Sequence, residues 1–222
     1  MRSIFFDKVL NVRDIGGYNS ILGTIKSNII IRGQVPYNIS LNDEEKFRKL
    51  DLNVIDIRSE VEKQQKKSFF YNEYCDINLR KTRWPNSEKD IPKTYIEITE
   101  DYDNIKKIFN IIIQSDRTIY INCNLGKDRT GVIIMLLLLL CKVDVDDIIA
   151  DYALSDIYLK KHYYDFHKKF PNYPKYLGRA KPEYMEETLK LFFEKYKDID
   201  LYFNKVGLTD EEIKLLRAKI IE

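Results

Sequence analysis

The stretch from Thr118 to Lys142 constrains this chain more than any other. A β-rich run, Thr118-Ile119-Tyr120-Ile121-Asn122, ends at Cys123, and a polar loop runs through Arg129-Thr130 to Gly131. Ten almost purely apolar residues, Val132 to Cys141, follow before Lys142. β-Branched and aromatic residues in a short run predict a strand. An apolar run with no polar face predicts a helix covered on every side. A buried strand leading through a tight loop into a buried helix needs a sheet with helices packed on it, so this one segment already implies an α/β core. The apolar run is about half the length needed to span a bilayer.

The rest of the chain agrees. Ile29-Ile30-Ile31, Asn53 to Ile57 and Tyr74 to Leu79 read as further strands. Ser40 reads as the N-cap of a helix over 41–50, with Asp43 and Glu44 in its first turn. Residues 80–93, with two prolines, read as a loop, and helical spacing of Ile98, Ile105, Ile108, Phe109 and Ile112 predicts one helix over 95–114. Beyond the apolar run at 131–142, helices are expected over 145–154, 156–170, 182–196 opened by Pro182, and 210–221 capped by Thr209. The expected fold is α/β, a mostly parallel central sheet flanked by helices with a largely helical C-terminal half. No repeat or low-complexity linker interrupts it, so residues 1–222 are expected to form one domain.

Composition excludes several function classes. A net charge of +2, with acids and bases interleaved, gives no basic face for nucleic acid. The opening Met1-Arg2-Ser3-Ile4-Phe5-Phe6-Asp7 is not a signal-peptide core, and no run is long enough for a transmembrane segment. Three widely spaced cysteines fit neither a disulfide framework nor a zinc site. A cytoplasmic location is expected, with export by a non-classical route left open. Oligomeric state is not legible.

The loop Cys123-Asn124-Leu125-Gly126-Lys127-Asp128-Arg129 answers the demands of phosphate chemistry. A helix N-terminus presents free amides and a positive dipole end, which suit an anion. Gly126 permits a tight concave turn. Arg129 offers a planar fork for two phosphate oxygens. The same donors favour thiolate over thiol at Cys123, and Thr130 is placed to donate its hydroxyl to the sulfur. A nucleotide P-loop is excluded, because Ile121 stands where its first glycine is needed and Asp128 where its Ser or Thr is needed.

With these residues in place, the chain resembles the bacterial protein-tyrosine phosphatases allied to dual-specificity and phosphoinositide phosphatases. The resemblance rests on Cys123-x-x-Gly126-Lys127-Asp128-Arg129-Thr130-Gly131, on Asn11-Val12-Arg13-Asp14-Ile15-Gly16-Gly17-Tyr18, on Ile31-Arg32-Gly33, on Asp56-Ile57-Arg58-Ser59 and on Asp151-Tyr152-Ala153-Leu154-Ser155. Pro182-Glu183-Tyr184-Met185 and the stretch from Gly207 to Arg217 also fit. It implies a phosphatase-like fold and hydrolysis of phosphate monoesters through a cysteinyl-phosphate, with no metal or other cofactor. The substrate expected is phosphotyrosine in protein, with phosphoserine and phosphothreonine open. A phosphoinositide phosphatase and a catalytically silent phosphate-binding module are the alternatives.

Site residues follow from the same comparison. Cys123 is the expected nucleophile, Arg129 the phosphate clamp, and Asp128 the general acid, its alternative being an anchor for loop amides. Asn124, Leu125, Gly126, Lys127, Thr130 and Arg58 are expected to bind substrate, with Lys127 a second cation and Arg58 at the ligand-facing edge of a strand. Two positions depart from the pattern. Trp84-Pro85-Asn86 has asparagine where many tyrosine phosphatases carry the acid, and Asn122 stands where histidine usually precedes the nucleophile. Slower turnover or a more alkaline optimum is the expected consequence. Tyr152 to Tyr176, dense in aromatics and lysines, reads either as a lid or as core packing. His162 and His167 read as surface or core side chains, and Cys75 as a quiet strand cysteine, with a protective disulfide to Cys123 the lesser alternative.

Overall fold

The computed structural model describes residues 3–71, 74–79 and 85–222. Its elements in chain order are β1 (Arg13–Asp14), β2 (Asn19–Ser20), β3 (Gly23–Thr24), β4 (Ile30–Gln34), α1 (Leu41–Lys49), β5 (Leu52–Asp56), α2 (Glu60–Gln65) and β6 (Tyr74–Asp76). There follow α3 (Ile91–Thr99), α4 (Tyr102–Gln114), β7 (Thr118–Cys123), α5 (Asp128–Leu140), α6 (Val145–Tyr158), α7 (Lys160–Lys169), α8 (Pro182–Tyr196), α9 (Ile199–Val206) and α10 (Asp210–Ile220).

Strand β7 is the centre of a five-stranded sheet of order β1-β4-β7-β5-β6. It pairs in parallel with β4 and β5, β6 continues parallel beyond β5, and β1 closes the other edge antiparallel to β4. A strand with a neighbour on each side and helices on both faces has no wet surface, so Ile119 to Cys123 are all buried. Ile119, Ile121 and Cys123 share the larger cluster with α5; Tyr120 faces the other way, into a cluster with Phe47 and Phe70. Helix α5 has no polar stripe because β7 and β4 cover one side and α3, α6 and α9 cover the rest. Every residue from Thr130 to Leu140 is buried in it. Among the described residues, no helix is long and apolar enough to cross a membrane.

The expected fold class holds, with corrections at element boundaries. The loop expected over 80–93 gives way to a helical turn at Glu88–Asp90 and then α3, whose start at Ile91 is favoured by Pro92 in its first turn. Residues 80–84 of that stretch lie outside the described residues. The single helix expected over 95–114 is two helices, broken at Glu100 and Asp101. The break between α6 and α7 falls at Leu159 rather than Ser155. Two short helices were not expected. Helix α2 opens with a Ser59/Glu62 capping box, and α9 runs from the Asp198 cap to Gly207, whose φ of 93° ends it.

Candidate active site

The chain turns sharply at the end of β7, and the turn is shaped by what surrounds it. Gly126 has φ of 65°, and a Cβ there would lie 2.3 Å from the carbonyl of Gly33, so only glycine fits. The loop carbonyls are captured from outside. Asn11 Nδ2 donates to the carbonyls of Leu125 (2.9 Å) and Gly126 (3.1 Å), and Arg32 Nη2 donates to that of Gly126 (2.7 Å). With carbonyls held on that side and α5 starting at Asp128, the first amides of the helix have no intrahelical acceptor and remain available to an anion.

The side chains that grip the loop belong to a fully buried ion network. Asp151 accepts from Arg13 Nε (3.0 Å) and Arg32 Nη1 (2.5 Å), and Arg13 Nη1 also holds Asn11 Oδ1 at 2.6 Å. Although burial opposes ionisation, the two guanidiniums pull the Asp151 carboxyl down to about 2. Two arginines on one carboxylate leave a net positive charge behind the loop. Arg13 and Asp14 pin the N-terminal segment, Arg13 through Asn11 and Asp151. Asp14 accepts from the amides of Gly16 (2.8 Å) and Asn28 (2.6 Å).

In front of the loop lies a cleft of about 570 Å³ that brings Cys123, Asn124, Leu125, Lys127, Asp128 and Arg129 together. Glu62 was not foreseen and organises it. Its carboxylate takes both terminal nitrogens of Arg129 at 2.7 Å, and Asn124 Nδ2 at 2.5 Å. It also caps its own helix by accepting from the Ser59 amide (2.9 Å) and hydroxyl (2.8 Å). Against the opposing effect of burial, Arg129 and Ser59 hold the Glu62 carboxyl at about 2. Arg129 has five N–H donors, and this pairing uses one on each terminal nitrogen, so the Nε–H edge of the fork remains for a second anion.

Asp128 stands at the cleft with its side chain 49% exposed, and its Oδ1 accepts from the Tyr95 hydroxyl at 2.6 Å. Tyr95 in turn lies 2.7 Å from the Tyr152 hydroxyl. Burial, then the Asp128 charge, pushes both phenols well above their usual range, so they stay protonated. The Tyr95 hydroxyl thus orients the carboxylate, and Lys127 Nζ lies 3.4 Å from the same oxygen.

Other expected residues are placed differently. Arg58 does not reach the cleft. It is fully buried, forks onto Asp56, and donates from Nη1 to the carbonyls of Glu62 (3.2 Å) and Lys66 (2.9 Å), which ties down the end of α2. Lys127 lines the cleft, but its Nζ is held by the carbonyls of Leu177 (2.7 Å) and Arg179 (2.9 Å) and is no free second cation. Gly126 serves by packing on Gly33. The Thr130 hydroxyl is buried without a partner among the described residues, as are both polar atoms of the Asn122 side chain.

Trp84 falls outside the described residues, and Asn86 is exposed. His162 and Tyr163 of α7, with Phe166 and Tyr173, form a wall of the cleft. Cys75 donates to Asn53 Oδ1 at 3.3 Å and is a free thiol.

The family model described as the tyrosine phosphatase family matches residues 4–222. A tyrosine-protein phosphatase of Nostoc commune is 25% identical over 172 residues, which are 70% of this chain and 56% of that protein. A Cupriavidus necator protein provisionally named a tyrosine-protein phosphatase is 28% identical over 169 residues, 68% of this chain and 62% of its own. The chain spans less than two thirds of the length of either relative.

Proposed function

The chain belongs to the tyrosine phosphatase family, and from that premise we propose that it hydrolyses tyrosine phosphate esters through a cysteinyl-phosphate on Cys123. What carries the reading is a single cleft that holds Cys123, the Arg129 fork and Asp128 at the N-terminus of α5. The Cys123 sulfur attacks phosphorus, an S–P bond forms, and the P–O bond to the tyrosine ring breaks as Asp128 passes its proton to the leaving oxygen. Asp128, now a carboxylate, takes a proton from water; the water oxygen bonds to phosphorus and the S–P bond breaks, which releases inorganic phosphate and restores the thiolate. The transition state is loose, so the contribution asked of the protein is position and charge, supplied by the loop amides and by the Arg129 edge that Glu62 leaves free.

A phosphoinositide substrate, with its several phosphates, would call for a spare cation at Lys127. That nitrogen is committed to two carbonyls, while aromatic and apolar side chains such as Tyr95, Ile98 and Phe166 line the cleft and suit an aryl ring. Hydrolysis of p-nitrophenyl phosphate tests the proposal. Turnover that falls by roughly a thousandfold or more in Cys123→Ser supports it. Turnover that survives the substitution removes Cys123 as nucleophile, and no turnover in either protein leaves a phosphate-binding module. For Asp128→Asn, the rate is expected to fall most for esters with poor leaving groups; the same fractional loss for every ester would reject the acid role.

A further inference from the structure

Two consecutive residues of α6, Asp151 and Tyr152, both act on the segment from Gly126 to Asp128. Asp151 does so through Arg32, whose Nη2 holds the Gly126 carbonyl. Tyr152 packs its ring on α5, where a Cβ at Gly131 would stand 3.2 Å from Tyr152 Cδ2. Its hydroxyl meets that of Tyr95, from α3, at 2.7 Å, and Tyr95 donates to Asp128 Oδ1 at 2.6 Å. Both tyrosines are buried, and the Tyr152 hydroxyl has no other hydrogen-bond partner among the described residues.

Counting hydrogens fixes the direction of this chain. Tyr95 has one hydroxyl hydrogen and spends it on Asp128, so the Tyr152 hydroxyl donates to Tyr95. Burial and then the Asp128 charge keep both phenols protonated, so the chain persists across the working pH range. The acid form of Asp128 needs its proton on one of two oxygens. A proton on Oδ1 would turn both hydroxyls round and leave the Tyr152 hydrogen buried without an acceptor, which is costly. Lys127 Nζ, 3.4 Å from Oδ1, opposes a proton there as well. Oδ2 has no hydrogen-bond partner among the described residues, and the half-exposed side chain lines the cleft with Cys123 and Arg129.

We propose that Tyr95, held by Tyr152, is a positioning residue for the acid, which locks the Asp128 carboxyl in one rotamer and confines its transferable proton to Oδ2. This deepens, and rests on, the reading of Asp128 as the general acid. As the ester P–O bond breaks, the Oδ2 proton passes to the aryl oxygen. When water attacks the cysteinyl-phosphate, its proton returns to Oδ2, and Oδ1 stays bonded to Tyr95 through both steps. Without Tyr95 the carboxyl is spread over the χ1 wells and carries its proton on either oxygen, which dilutes the competent arrangement by about fivefold.

The test measures kcat/KM for p-nitrophenyl phosphate and phenyl phosphate in the wild type, Tyr95→Phe, Tyr95→Phe/Tyr152→Phe and Asp128→Asn. The readout is the ratio of the first ester to the second, because phenolate is the poorer leaving group and depends more on the proton. Tyr95→Phe should raise this ratio about fivefold, in the same direction as Asp128→Asn but by less. The single variant strands the buried Tyr152 hydroxyl, and the double variant removes it. A ratio that stays raised in the double variant supports the proposal. A ratio that returns there to the wild-type value traces the effect to the stranded hydroxyl and overturns it. An unchanged ratio in Tyr95→Phe, even with both rates lowered equally, also overturns it, and leaves the acid reading standing if Asp128→Asn raises the ratio. Should Tyr95→Phe fail to fold, the double variant decides by the same ratio. An unchanged ratio in Asp128→Asn, or a wild type that hydrolyses neither ester, means that the acid reading has failed and the proposal falls with it.

Discussion

Replacing Glu62 by glutamine keeps the shape of the side chain and removes the charge that holds Arg129, and the cost can be worked from the site. The carboxyl lies at about 2 in the folded protein, against an ordinary value near 4.5. A depressed carboxylate stabilises the fold above its unfolded value, and that contribution fades as pH falls toward the folded value. With these two values, the ionised side chain contributes about 3 kcal/mol at pH 7 and about 1 kcal/mol at pH 3. Glutamine stands in for the protonated acid, so the stability gap between wild type and Glu62→Gln should shrink by about 2 kcal/mol between those pH values. Asp151, also held at about 2, titrates in the same window but is common to both proteins and cancels in the difference. Urea unfolding of the pair at pH 7, 5, 4 and 3 measures it. Because Glu62 also aims the fork, kcat/KM for an aryl phosphate should fall by roughly ten- to a hundredfold at pH 7. A gap that does not change with pH, or an undiminished kcat/KM, would refute the reasoning. A rise in kcat/KM would mean that Glu62 competes with phosphate instead of positioning its partner.

Three further outcomes are expected. Gly126→Ala places a methyl 2.3 Å from the Gly33 carbonyl at a φ of 65°, so the loop must move; activity should be lost and the melting temperature lowered, both measurable on the purified variant. Asp151→Asn leaves two buried arginines without their shared counter-ion and should cost about 3–5 kcal/mol in denaturant unfolding. Burial pushes the Cys141 thiol up to about 12, so mass-resolved alkylation at pH 8 should leave Cys141 unmodified until the protein unfolds.

The strand, loop and apolar helix from Thr118 to Leu140 were legible because each depends on local pattern, a β-rich run, a glycine that must turn, and a helix with no polar face. The caps at Ser40 and Thr209 were legible for the same reason, since each bonds an amide three residues away. Helix α2 was readable in principle from Ser59-x-x-Glu62, but a six-residue polar helix carries no apolar period. The break at Glu100 and Asp101 was hidden because apolar residues on both sides face the same core. Glu62 could not be assigned its partner from sequence, because Arg129 lies 67 residues away and only the β5–β7 pairing brings α2 to the loop. Arg58 misled for a related reason. Its position just beyond β5 is the ligand-facing edge of the sheet, but Asp56, two residues earlier, turns the guanidinium inward.

The central claim is that phosphate passes through the sulfur of Cys123, and trapping tests it most directly. Wild-type protein mixed with an aryl phosphate and quenched in acid within milliseconds should carry one phosphate on the peptide containing Cys123, read by mass spectrometry, with more of it in a variant slowed at hydrolysis. Steady release of phosphate with no label on that peptide, or with the label on another residue, would contradict the account.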